Sequence, residues 1–362
     1  MGEDFFMQPL ARVSTRSRLL FALAAAVSIS LTGFGLAQQR DRAARKLDKV
    51  QQQDLQVLVK AVDQAIAGSP APAGPPMGWQ NHYVKAVDQK TFIPFRIAIE
   101  QAALATPSVS LYLRAVKRAA AGRAKTDTRT GTNAIAADVV EDAHFLDLRA
   151  EAQQPYTVTR SLALPAGDYD LYVALKERPR GDGGRDKGAA APKITVMKQA
   201  LVVPDYWNGE MSTSSVFVAD KVEPLGQPLT EAELVTRPYG FMRRSEIVPA
   251  AALRFSKKGN LSVVFQVYNA SLDEARKPNV TADFTFHQKA EAGEKVFNRT
   301  DPQVFSANTL QPEFDGSIHP VVAGQEIPLT SFPEGEYRLE ITVADRIGNK
   351  TLTHNIAFVV TP

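Results

Sequence analysis

Cysteine is absent from all 362 residues. That excludes a disulfide-stapled scaffold, a thiolate metal site, a cysteine nucleophile and a lipid-modified cysteine anchor. A domain of roughly 100 residues or more buries enough apolar surface to fold without staples. Catalytic signatures are missing too: there is no Gly-x-Ser-x-Gly elbow, no His-Glu-x-x-His pair and no phosphate-cradling glycine loop. The histidines are His82, His144, His287, His319 and His354, and no two have the spacing of a local metal pair. His144, after Glu141 and Asp142, comes nearest to a ligand cluster, but a loop entering a strand ordinarily carries such residues. Asp182 and Asp186 have flanking glycines but lack the oxygen register of a calcium loop. The sequence therefore predicts no catalytic residue, no metal and no cofactor.

Excess charge is lacking as well. A formal net charge of +3 implies no polyanion partner. One local excess occurs, where Arg114, Lys117, Arg118, Arg123, Lys125 and Arg129 surround Asp127. No aromatics interleave there for base stacking, so it reads as a solvated loop and not a nucleic-acid surface. Long hydrophobic runs are confined to Leu19–Leu36, which follows Arg12, Arg16 and Arg18 and ends in Gly35-Leu36-Ala37. Basic flank, apolar core and small-x-small end make residues 1–37 a signal peptide. The alternative is an uncleaved anchor, since about 18 apolar residues just span a bilayer. The arginines are not adjacent, so a twin-arginine route is unsupported. The expectation is an exported bacterial protein, periplasmic or extracellular, touching a membrane only if the signal is retained.

Residues 38–68 read as an amphipathic helix. Val50, Leu55, Leu58, Val59, Val62 and Ile66 recur at three- and four-residue steps. Residues 69–78, rich in proline, form a stiff spacer. The stripe packs on a neighbouring β-domain, pairs with another copy to make an oligomer, or rests on a membrane; the first is its ordinary fate. From Trp79 the pattern turns to period two, as in Phe92–Ile99 and Val109–Val116. Strands without intervening helical patterns predict two tandem immunoglobulin-like β-sandwiches, at 79–205 and 246–362, joined by a segment at 206–245.

One motif occurs twice, as Pro165-Ala166-Gly167-Asp168-Tyr169 and Pro333-Glu334-Gly335-Glu336-Tyr337, at an offset of 168 residues. Proline and glycine set a turn, and each tyrosine opens a strand in the manner of the tyrosine corner of Greek-key sandwiches. Pro165, Gly167, Tyr169, Pro333, Gly335 and Tyr337 are therefore read as scaffold. Ala200–Val203 matches Ala357–Val360 at an offset of 157, which assigns an eleven-residue insertion to the hairpin tip at Arg178–Lys187. Leu261–Tyr268 aligns with Val109–Val116. Asn260, Asn269, Asn279, Asn298 and Asn349 each open an Asn-x-Ser/Thr triplet, ordinary in strands of a bacterial chain. Between the domains, Tyr206, Trp207, Tyr239 and Phe241 either line a ligand groove or cement the sandwiches.

The C-terminal half resembles domains of uncharacterised secreted proteins of soil bacteria, acidobacterial ones in particular, some of which carry a von Willebrand factor A-type domain ahead of the sandwich. Leu261–Asn269, Gly324-Gln325-Glu326-Ile327-Pro328-Leu329 and Pro333–Val343 carry the resemblance. It implies an immunoglobulin-like or fibronectin-like sandwich and supplies no catalytic residue. The A-type domain's Asp-x-Ser-x-Ser metal motif is absent. The expected function is a non-enzymatic exported module that recognises a protein or glycan of the envelope. The alternatives are a polysaccharide-active hydrolase with dispersed carboxylates, or a tethered assembly factor if the signal stays. N-terminal sequencing of the mature protein is expected to read from Gln38; an intact leader would establish the tethered form.

Overall fold

The computed structural model describes residues 47–70, 74–118, 139–149, 155–178, 193–242, 244–291 and 293–362. The expected signal peptide, the start of the expected helix, Arg123, Lys125, Asp127 and Arg129, and the hairpin tip bearing Asp182 and Asp186 lie outside the described residues. The described chain forms two compact units. The N-terminal unit runs to residue 209 and takes in 230–239, and the C-terminal unit comprises 210–229 and 240–362. The stretch 206–245 is thus shared between both bodies.

In the N-terminal unit, helix α1 (Lys49–Ile66) starts at a capping box. The Asp48 carboxylate accepts the Gln51 N–H at 2.8 Å, and the Gln51 side chain accepts the Asp48 N–H at 3.1 Å. That cap sets the start of α1 at Lys49, one residue before Val50, the first residue of the apolar stripe. Eight strands follow: β1 (Met77–Asn81), β2 (Val84–Lys85), β3 (Lys90–Ile99), β4 (Ser108–Lys117), β5 (Val139–Asp147), β6 (Tyr156–Pro165), β7 (Gly167–Glu177) and β8 (Ile194–Val203). One sheet runs β1-β3-β6, with β2 also on β3, and the other runs β5-β4-β7-β8. Ile93, Phe95 and Ile97 from the first sheet meet Leu111, Leu113, Leu171 and Val173 from the second, closing a core between them. Pro94 has no N–H to give a ladder, and it falls where the partner of β3 changes from β1 to β2. Helix α2 (Glu231–Thr236) also belongs here, opened by the capping box Thr230–Glu233.

The C-terminal unit contains β9 (Ser212–Thr213), β10 (Phe217–Pro224), β11 (Ser245–Pro249), β12 (Arg254–Ser256), β13 (Asn260–Tyr268), β14 (Val280–Ala290), β15 (Gly293–Arg299), β16 (Gln303–Phe305), β17 (Val321–Pro328), β18 (Gly335–Asp345) and β19 (Lys350–Thr361). Its sheets are β11-β10-β13-β17 and β12-β19-β18-β14-β15. With β2, β9, β11, β12 and β16 set aside, both units pair their remaining seven strands in one order: first-second-fifth against fourth-third-sixth-seventh. That is an immunoglobulin-like sandwich. Each unit is mainly β, as the period-two pattern predicts.

The order corrects one alignment. Leu261–Tyr268 is the second main strand of its unit, whereas Val109–Val116 is the third; the counterpart of β4 is β14. Alternation shows that a strand buries one face, not which sheet it joins, so the two could not be told apart by pattern.

The repeated turns have like geometry. Tyr169 Oη donates to the Pro165 carbonyl at 3.1 Å and Tyr337 Oη to the Pro333 carbonyl at 2.7 Å. Gly167 and Gly335 sit at φ +139° and +147°, where only glycine is comfortable. Gly167 pairs with Val203 and Gly335 with Val360, so the first hairpin carries eleven extra residues beyond Lys176.

Helix α1 lays Leu58, Ala61 and Val62 on Tyr112, Tyr172, Ala174 and Val196, the outer face of the second sheet. Packing on the β-domain is therefore the fate of its stripe. Inside that contact Asp54 is buried, bonded to the Lys176 ammonium and accepting the Ser110 hydroxyl at 2.7 Å. Removing one partner strands a buried charge, which costs about 3–5 kcal/mol, while an apolar pair of like volume is near neutral. In urea unfolding, Lys176→Met is expected to lose about 3 kcal/mol, and Asp54→Leu added to it to recover most of that. Tyr337→Phe is expected to lose about 1 kcal/mol through its single hydrogen bond.

Candidate functional site

The four aromatics picked out by sequence do not share a surface. Tyr206, Tyr239 and Phe241 are 3%, 2% and 5% exposed, while Trp207 is 43% exposed. Phe241 packs on Phe217 in the C-terminal unit, with ring centroids 5.3 Å apart. The other three belong to the N-terminal unit. Sequence marked them as aromatics near one another in the chain, and burial then separated them: three serve packing and one faces solvent.

Tyr239 is a peg. Its hydroxyl lies 3.1 Å from His82 Nδ1, and the two rings meet edge to face at 5.5 Å. Burial of this pair pulls the His82 pKa down to about 4, with Arg96 adding to the effect. Burial also pushes the Tyr239 phenol up.

Trp207 is held by its surroundings. Its N–H donates to Asp205 Oδ1 at 2.9 Å, closing a local turn, and its indole Nε1 donates to the Lys90 carbonyl at 3.2 Å. That carbonyl also accepts the Ala86 N–H at 3.1 Å, across the tight turn joining β2 to β3. Asp88 and Gln89 at the turn tip both adopt φ +55°, the positive values a type I′ hairpin needs and non-glycine residues seldom supply. The neighbouring Tyr206 anchors the segment with its hydroxyl on the Tyr83 carbonyl at 3.4 Å, and Thr91 Oγ1 bonds the Pro204 carbonyl at 2.8 Å. Lys85 Nζ stands 4.4 Å from the indole centroid. Partial burial pulls the Lys85 pKa down, and the Asp205 charge opposes that. The indole is thus fixed at one edge, with an ammonium over its face and the Asp205 charge acting on that ammonium.

Other expected residues fall into scaffold roles. Asp142 and His144 alternate on β5, with His144 Nε2 3.2 Å from Asp142 Oδ2. Among the described residues no group of three metal-ligating side chains forms. Of the basic excess, Arg114 pairs with Asp63 and Glu141, and Arg118 approaches Asp168 and Asp170.

One ordered feature had no sequence signal. In the C-terminal unit, buried Lys277 donates to the carbonyls of Gln311 at 2.9 Å, Pro312 at 2.7 Å and Phe314. Buried Asp345 accepts the N–H groups of Ser271, Ile347 and Gly348 at 2.8–3.0 Å. Burial alone would raise the Asp345 pKa; those N–H bonds outweigh it and hold the carboxyl below its usual range. Together the two side chains brace three inter-strand loops, and Ile318 and Ile347 stay exposed on them.

No protein-family description matches the chain, and no curated protein matches it. Among solved structures, an immunoglobulin-like protein from Pseudomonas aeruginosa is 14% identical, covering 41% of this chain and 97% of that one, at a TM-score of 0.20. Alpha-2-macroglobulin of Escherichia coli is 10% identical over 80% of this chain and 24% of its own, at 0.23. A family 123 glycoside hydrolase from Clostridium perfringens is 9% identical over 41% of this chain and 27% of its own, at 0.18. Likeness of this degree carries no argument, and the sandwich assignment stands on the strand pairings.

The His82 pair has a pH consequence. Its folded pKa of about 4 lies below the ordinary 6.5, so the unfolded chain takes up the proton first. The contribution to stability is whole above about pH 6.5 and is lost as pH falls toward 4, a span worth about 3 kcal/mol. Urea unfolding of the wild type across that range is expected to show this loss beyond the slope of a His82→Gln variant. Parallel slopes would contradict it.

Proposed function

We propose that this chain is an exported, non-enzymatic β-sandwich module that recognises a protein or glycan partner in the bacterial envelope or extracellular space. The observation that carries the reading is Trp207: a large aromatic left exposed, yet oriented by its indole bond to the Lys90 carbonyl, on a backbone turn closed by Asp205 and against a strained hairpin. A side chain exposed for lack of room elsewhere needs no such bracing, whereas a binding platform gains from it, because little rotamer entropy remains to be lost on contact. Loops held by rigid sandwiches are common seats of recognition. The two sandwiches are repeats of one module, kin to acidobacterial-type secreted proteins. The chain is exported through residues 1–37, and its partner is not a nucleic acid.

Full-length protein immobilised in envelope extract is expected to retain a partner that Trp207→Ala loses at unchanged melting temperature. Capture that survives Trp207→Ala would remove this site from the proposal. Alanine at Tyr206, Tyr239 or Phe241 is expected to lower stability by about 3–5 kcal/mol, as buried aromatics do.

A further inference from the structure

Helix α1 spends its apolar stripe on the N-terminal unit, so that stripe is not free to meet a second copy. The C-terminal unit offers a different contact, at the outer edge of β19. That strand pairs with β18 along its length; on its other side β12 covers only Val359, Val360 and Thr361. There the Val359 N–H donates to the Leu253 carbonyl at 2.9 Å, and the Thr361 carbonyl accepts the Lys257 N–H at 2.8 Å. Backbone groups alternate in direction along a strand, so Thr351, Thr353, Asn355 and Ala357 turn theirs the same way. All four residues are exposed, and among the described residues no strand pairs with them on that side.

Free edges are ordinarily blunted by charge, proline, a bulge or a covering group, because an open row of N–H and C=O groups recruits another strand. The other edges of this unit are blunted. β11 is short and ends at Pro249. β15 carries Glu294, Lys295 and Arg299 and lies against a register shift at Phe286/His287. On β17 the Gln303 side chain bonds the Gly324 N–H at 3.3 Å and its carbonyl at 2.7 Å. Residues 351–358 contain no proline, lysine, arginine or acid, and their pairing with β18 runs without a shift.

The open stretch also matches itself. It runs from Thr351 to Ala357 with His354 at its middle. Turned about a two-fold axis at His354, it sets Leu352 opposite the other copy's Ile356, Thr353 opposite Asn355, and Thr351 opposite Ala357. The odd-numbered pairs are then the hydrogen-bonded ones, and His354 meets its counterpart at a close, non-hydrogen-bonded position. Leu352 and Ile356 are half-buried against the core, so pairing them covers apolar surface still in water. Any extended segment could use a free edge, but this register pairs the whole edge with itself and opposes no like formal charges. We infer that two copies of this chain pair antiparallel through residues 351–357 of β19, about a two-fold axis at His354, joining their sheets into one. Such a contact is isologous and closes at the dimer.

The test is sedimentation equilibrium of the full-length protein, which is expected to show a monomer–dimer equilibrium below about 200 µM. Thr353→Pro removes one outward N–H at a place where an edge strand tolerates proline, and is expected to weaken the dimer at least about tenfold. Thr353→Lys sets two like charges diagonally across the axis and is expected to weaken it about fivefold. Both variants are expected to keep the circular dichroism of the wild type, since the position is exposed. The absence of cysteine makes the register testable, because His354→Cys carries one thiol per copy. Mild oxidation is expected to link that variant into a disulfide dimer, whereas Leu352→Cys, which stands opposite Ile356, is expected to stay unlinked. A monomer at every concentration up to about 200 µM overturns the inference, as does association unchanged in both Thr353 variants. A dimer that Thr353→Pro abolishes but His354→Cys does not link overturns the two-fold register, and with it the inference as stated.

Discussion

Each unit rests on the closing of a gap between two sheets by alternate side chains. A strand in such a sandwich buries every second residue, and the buried set must be large and apolar on both sides at once. Phe95 and Ile97 facing Leu113 and Leu171 do this in one unit; Val263 and Phe265 facing Phe284, Phe286 and Ile341 do it in the other. At about 25 cal/mol per Å² of apolar surface, this burial is the largest favourable contribution either unit has. Helix placement, loop geometry and the exposed indole are arranged on strands that this core holds still.

Polar groups then fix what apolar packing leaves free. Apolar contact is non-directional, so a helix could slide along a sheet face at little cost; the Asp54–Lys176 pair and the Ser110 hydroxyl allow one register. The tyrosine hydroxyls at the Pro165 and Pro333 carbonyls do the same for the turns that bring the sixth main strand into its sheet. Lys277 and Asp345 order loops by satisfying backbone groups that would otherwise need water. In each case one buried charge or hydroxyl selects among packings that apolar area alone would leave close in energy.

Legibility followed range along the chain. The turn at Gly167 and Gly335 shows in sequence because glycine, proline and tyrosine act within four residues of one another. Helix α1 shows because its period is local, and the capping box at Thr230 and Glu233 was readable by the same logic, although proline-rich surroundings hid it. Trp207 shows only as an aromatic in a linking segment. What singles it out is Lys85 and the Lys90 carbonyl, more than 100 residues earlier in the chain. Tyr239 is likewise set apart from its neighbours only by the contact of its hydroxyl with His82, 157 residues earlier in the chain.

By itself the sequence determined that the protein is a pair of cysteine-free β-sandwiches with an apolar-striped helix ahead of them. Period-two alternation, turn residues and three- to four-residue spacing are local properties that tertiary contacts did not overrule. Only the tertiary structure decided which strand joins which sheet, where the helix lies, and which aromatic of four stays in solvent. Those outcomes depend on pairings between residues far apart in the chain, whose free energies are set by burial and by hydrogen-bond geometry that exist only after folding.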